Sequence, residues 1–184
     1  MSTQPLEQAI ATSRGVLAAV NSAQLTQSTP CASWDVSALI NHIVGAQYFF
    51  TAGVTGESPG EAPNFAAGDY VAAFDEATAK CVGAFQGDGV MGQTLKTPMG
   101  EFPAPAFMGL AITDTLTHAW DLAKATGQST DLAPELAAGV LAQAKAAIPD
   151  SYRGPEGAPF GSQKEAPEGA TNADQLAAFL GREV

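Results

Sequence analysis

Apolar residues return every three or four positions along most of this chain, a period that builds helices and excludes an extended sheet. Leu6, Ile10, Val16, Leu17 and Val20 predict a first helix over residues 4–21. Val36, Leu39, Ile40, Ile43, Val44 and Phe50 predict a second over 34–54, with Ser33 as its N-cap. A third, over 70–85, turns Val71, Phe74, Ala77, Cys81 and Val82 inward. The period lapses between Gly87 and Pro105, where Thr97-Pro98-Met99-Gly100 suits a type I turn and predicts a short hairpin or an extended loop. A long fourth helix over 106–126 should stop at Gly127, and an Ala-rich fifth runs over 134–147.

The Gly- and Pro-rich stretch 150–169 is either mobile or packed over the surface by Tyr152 and Phe160. After it, Thr171 and Asp174 resemble a capping box ahead of a small C-terminal helix bearing Leu176, Phe179 and Leu180. The fold class implied is all-α: a four-helix bundle with a hairpin-like insertion and small appendages, in a single domain over residues 1–184. A chain of 184 residues buries enough surface to fold without a disulfide or metal staple.

Charge narrows the partners. Eight Lys and Arg against nineteen Asp and Glu give a net charge of −11, which repels nucleic acid and other polyanions. No apolar run approaches the roughly 20 residues of a membrane span, and the start shows no basic segment leading into an apolar one. A soluble, cytoplasmic protein is expected. Cys31 and Cys81 form no CxxC pair. Cys81 reads as a small buried hydrophobe. Cys31, just before a helix start, is either buried or a thiol acidified by the helix dipole.

The chemistry concentrates in ITDTLTHAWDLAKATG, where Asp114, His118 and Asp121 share one helical stripe. Asp114 and His118, four apart, put two donor groups within about 5 to 6 Å at Cβ. His42, the second of only two histidines, lies on the second helix between apolar neighbours. If the second and fourth helices face each other, His42, Asp114 and His118 converge as a nitrogen, nitrogen and oxygen set. Such a set suits zinc, with nickel, iron or manganese as alternatives, and leaves a position for water or substrate. The plain alternative is a buried charge-assisted Asp–His pair. Met91, Met99, Phe102, Phe107 and Met108 are either core or the wall of an apolar pocket, and Trp34 and Trp120 are core or pocket wall.

The runs TPCASWDVSALINHIVG and DTLTHAWDLAKATG, with the closing LAAFLGR, resemble the actinobacterial branch of the DinB/YfiT-like superfamily. That group includes the N-terminal domain of mycothiol-dependent maleylpyruvate isomerase. The resemblance implies a four-helix bundle with a divalent metal, zinc or nickel, at one end. Carried over by motif position, its ligands are His42, Asp114 and His118, with Asp114 standing where related isomerases are expected to use Glu. Asp121 matches the acid that follows the motif histidine and is assigned to orienting His118 or to helix packing. The resemblance further implies a low-molecular-weight thiol of the mycothiol type, attacking an electrophile in S-transfer or isomerisation. The chain ends soon after its bundle, so a separate C-terminal domain like that of the isomerase is not expected, and with it isomerase activity recedes. Two other readings stay open: a noncatalytic metal- or small-ligand-binding protein, and a metal-free helical interaction module.

Overall fold

The computed structural model describes residues 2–58, 60, 62–154 and 160–184. Among these residues six α-helices and one hairpin follow in the order α1 (Gln4–Ala18), α2 (Val36–Thr55), α3 (Tyr70–Phe85), β1 (Thr94–Thr97), β2 (Gly100–Pro103), α4 (Ala104–Thr126), α5 (Pro134–Ala147) and α6 (Asn172–Phe179). The all-α expectation holds, and of the hairpin or extended loop expected after α3 the hairpin is present, an antiparallel pair with Leu95 opposite Phe102.

The first four helices form the bundle, and their directions follow from side-chain pairs. Arg14 on α1 meets Asp75 on α3, while Thr3 at one end of α1 accepts from Gln86 just past α3, so these two run antiparallel. On α2 and α4, Gln47 donates to Thr115 at 3.0 Å, and Phe50 meets Phe107 at 5.2 Å between ring centroids, again antiparallel. Asn64, just before α3, accepts from Asn41 near the start of α2. Phe85 at the end of α3 reaches the same Phe107 as Phe50 does. Thus α2 and α3 run the same way, and the Gly/Pro-rich stretch between them is the crossover that this requires.

Helix ends differ from the sequence expectation where a stronger cap competes. Helix α1 stops at Ala18 rather than at Asn21, because Asn21 instead caps a short 3-10 turn, accepting from the Ala23 N–H while Gln24 bonds back to it. Helix α2 is capped by Asp35, whose carboxylate accepts from the Ala38 N–H at 2.8 Å, and not by Ser33. Ser33 lies inside a turn closed by the Trp34 N–H on the Cys31 carbonyl, and a carboxylate at a helix N-terminus also gains from the dipole. Gly127 ends α4 in the left-handed conformation (φ 71°), as expected. The Thr171/Asp174 capping box is present at α6, and Asp174 also accepts from the Trp120 indole N–H at 2.8 Å, tying α6 to α4.

At one end of the bundle the core centres on Phe107, fully buried among Phe50, Phe85 and Phe102. A Cβ on Gly53 would lie 2.5 Å from the Phe107 ring, so the glycine makes room for it. The other end packs Leu39, Ile40, Ile43, Phe74 and Leu122. Phe107→Ala should cost about 3–5 kcal/mol, read as a lowered urea midpoint with an unchanged slope.

Of the five residues offered as core or pocket wall, Phe107 and Met108 are core, whereas Met99 is 58% exposed at the hairpin turn, which needs its backbone and not its side chain. In the stretch 150–169, residues 155–159 lie outside the described residues. Around them Phe160 packs against the core and Arg153 lies over the Phe179 ring at 4.2 Å, while Tyr152, the other residue offered for packing this stretch if it were not mobile, is exposed. Cys81 is fully buried, and burial pushes its thiol up to about 12, so it behaves as the hydrophobe expected. Among the described residues no helix is long and apolar enough to cross a membrane.

Candidate metal centre

The antiparallel packing of α2 on α4 brings His42 opposite Asp114 and His118. The Nε2 atoms of His42 and His118 lie 3.4 and 3.6 Å from the same atom, Asp114 Oδ1, and the two imidazole centroids are 4.4 Å apart. One ligand atom from each of the three residues lies within 4.8 Å of the others. His118 is nearly buried, with 11% of its side chain exposed, while His42 and Asp114 keep 32% and 25%, so the cluster opens to solvent on their side.

A proton or cation must sit among these atoms, since two imidazole lone pairs and a carboxylate would otherwise face one another. In the metal-free chain it is a proton. Burial alone would lower the basicity of His118, but the charges of Asp114 and Asp121 outweigh it and raise its pKa to about 10. Burial works against the Asp114 carboxylate as well, and the two histidines beside it hold its pKa below the usual value. Asp114 Oδ2 is buried and has no hydrogen-bond partner among the described residues. Such an orphan calls for a partner. Two imidazole nitrogens and a carboxylate whose second oxygen is orphaned fit a divalent cation of the zinc or nickel kind.

The other face of His118 is held differently. Its Nδ1 donates to Asp121 Oδ2 at 2.9 Å. Asp121 is fully buried and also accepts a two-pronged pair from Arg182, Nε to Oδ1 at 3.1 Å and Nη2 to Oδ2 at 2.9 Å. The Cys31 thiol donates to Asp121 Oδ2 at 3.3 Å. Burial would raise the Asp121 carboxyl, but His118 and Arg182 hold it down at about 2. An ionised Asp121 accepts only, so His118 carries its proton on Nδ1 and presents Nε2 to Asp114.

The Thr-Pro-Cys-x-x-Trp motif acquires a physical meaning here. The Thr29 hydroxyl reaches the carbonyls of Cys31 and Trp34 at 3.1 and 2.9 Å and accepts from the Cys31 N–H, tightening the turn before α2. The turn sets the Trp34 ring against both imidazoles, at centroid distances of 4.6 Å to His42 and 5.8 Å to His118. Trp34 is therefore a wall of the site, while Trp120 is core. Cys31, for which the sequence offers burial or acidification by the dipole, is partly exposed and bonded to Asp121, a contact that residues near it in sequence do not announce. Arg182 closes the LAAFLGR run, whose sequence alone assigns it no role. Its place in LAAFLGR was the available signal, without any spacing rule to connect it to His118.

A cleft of about 310 Å³ begins one helical turn from His42, lined by Gly45, Tyr48, Phe49, Pro63 and Phe65 among others. Another, of about 350 Å³, lies at the far end of the bundle, against Thr3, Phe85 and Met91, and holds no residue of the cluster.

Two uncharacterized proteins of Mycobacterium tuberculosis, from two strains, are each 48% identical to this chain over 169 residues, covering 92% of it and 91% of the relative. No solved structure matches. The family described as the mycothiol maleylpyruvate isomerase N-terminal domain matches residues 6–123, a span holding the convergent histidines, Asp114, Asp121, Cys31 and Trp34 and ending just short of the C-cap of α4. A helical bundle with the motif residues gathered on α2 and α4 is what that match leads one to expect, and the chain belongs to this family of the DinB/YfiT-like superfamily.

Proposed function

We propose that this chain binds one divalent metal ion, zinc or nickel, through His42, Asp114 and His118 and uses it in S-transfer or isomerisation with a low-molecular-weight thiol of the mycothiol type. The observation that carries the reading is the approach of two Nε2 atoms to one Asp114 oxygen beside an orphaned second oxygen. When bound, the ion would supply Lewis acidity, favouring the thiolate form of an incoming thiol at neutral pH.

The chain's own residues do the rest. Asp121, clamped by Arg182, fixes the tautomer and tilt of His118. Trp34 shields the two imidazoles, leaving the side of His42 and Asp114 for entry. The apolar cleft beside Gly45 and Phe49 gives an electrophile room one turn from His42. No third histidine exists to act as general base. Both oxygens of Asp121 are already engaged, so the thiol proton passes to water. A cytoplasmic location, where such thiols stay reduced, goes with this reading.

The second reading is metal binding without turnover, which the partial cover of Trp34 favours. Elemental analysis and zinc titration of the purified chain should give one ion per chain. Mycothiol with a panel of apolar electrophiles should then be consumed only by the metal-loaded protein. One ion without thiol consumption selects the noncatalytic reading, and no ion at all removes both.

A further inference from the structure

His118 stands between two ligand clusters that share it: His42, Asp114 and His118 on its Nε2 side, and Cys31, His118 and Asp121 on its Nδ1 side. The second cluster offers sulfur, nitrogen and oxygen within 4.8 Å, a set that suits zinc at least as well as the first. What separates them is Arg182. Its guanidinium makes a two-pronged pair with Asp121 and approaches Cys31 Sγ at 3.9 Å, so a fixed positive charge already fills the place a cation would take. The guanidinium stays charged at any workable pH and has no lone pair to offer a metal.

We propose that Arg182 is a positioning residue that selects the metal site. It excludes cations from Cys31–His118–Asp121 and keeps His118 Nδ1–H on Asp121, so that Nε2 alone is free to bind. The inference rests on His118 being a ligand, as proposed above, but makes its own demand on Arg182.

The fold places this arginine with care. Asp174 on α6 accepts from Trp120, fixing α6 against α4 close to His118. Gly181 then turns the chain at φ 96°, and a Cβ there would meet the Gly161 backbone at 2.7 Å. Arg182 donates to the Leu180 carbonyl at 3.0 Å while reaching Asp121. Gly161, Asp174, Leu180, Gly181 and Arg182 all lie outside the family match at 6–123, so the part of the chain that follows the family domain completes its site.

Removing the charge should open the second cluster. A divalent ion would then displace the proton of the Cys31 thiol and that of His118 Nδ1, both released to water, and bind sulfur, nitrogen and Asp121 oxygen. Cobalt(II) reports this directly, because a cobalt–thiolate bond adds a charge-transfer band in the near ultraviolet. Wild type should bind one cobalt without that band. Arg182→Met should show it, and Arg182→Met with Cys31→Ser should lose it. Arg182→Lys, which keeps the charge, should retain the wild-type spectrum. Competition for one imidazole should weaken the His42 cluster about tenfold to a hundredfold, the usual effect of losing an outer partner.

Circular dichroism checks folding, and Arg182→Gln, which keeps amide donors for Asp121 but not the charge, serves if the Met variant unfolds. A spectrum and affinity unchanged in both neutral variants overturn the proposal, as does a thiolate band already present in wild type. If wild type binds no cobalt while a neutral variant shows the band, the role of Arg182 stands and the His42–Asp114–His118 reading falls. If wild type binds one ion and the neutral variants match it, the reverse holds.

Discussion

Asp121→Asn should lower the stability of the metal-free protein by about 3–5 kcal/mol, because it leaves the largely buried Arg182 charge without its counter-ion. Asp121 is fully buried, and the Arg182 side chain is 16% exposed, so solvent does little to compensate. The same carboxyl sets the acid limit of the fold. Its pKa of about 2 lies below that of an unfolded aspartate, near 3.9. The stability it contributes is present in full above the unfolded value and is lost as pH falls through the folded one. Wild-type urea midpoints should therefore drop between about pH 4 and pH 2, and that arm should flatten in Asp121→Asn. A variant as stable as wild type at pH 7, with the same acid slope, would show that the Asp121–Arg182 pair contributes nothing.

His118→Ala should weaken zinc binding by at least about a hundredfold, beyond the range set by outer partners alone. His42→Ala should do the same, since either change leaves two ligands. Isothermal titration with zinc measures both, and a variant that still takes up one ion with wild-type affinity would remove that histidine from the centre. The wild-type affinity should also rise with pH. In the metal-free chain His118 carries a raised pKa of about 10, held up by Asp114 and Asp121 against burial. Its charge supports the metal-free fold in full below about 6.5, the ordinary imidazole value, and that support fades as pH rises through the raised one. Across that window an arriving ion must displace the proton on Nε2, so apparent affinity increases with pH and protons are released on binding.

The relation of Asp114 to His118 could be read from the chain because a helix repeats every 3.6 residues, and one turn fixes both side chains on one stripe. The same local rule located α3 and α5 to the residue and the capping box of α6. Where two capping groups competed, as Ser33 with Asp35, proximity in sequence could not choose between them; the turn that places Ser33 inside it did. The convergence of His42 on α4 followed from the sequence only on the condition that α2 and α4 pack face to face, a condition met by Gln47 on Thr115 and Phe50 on Phe107.

The helices, their order and the two cluster residues on α4 were thus determined by the sequence alone, since each depends on neighbours a few positions apart. The surroundings of His118 were decided by tertiary structure. Cys31 is 90 positions from Asp121 and Arg182 is 61, and no periodicity spans such distances. Only the docking of α6 through Trp120 and Asp174, and a backbone turn that glycine alone tolerates at position 181, bring the arginine to the carboxylate that orients the histidine.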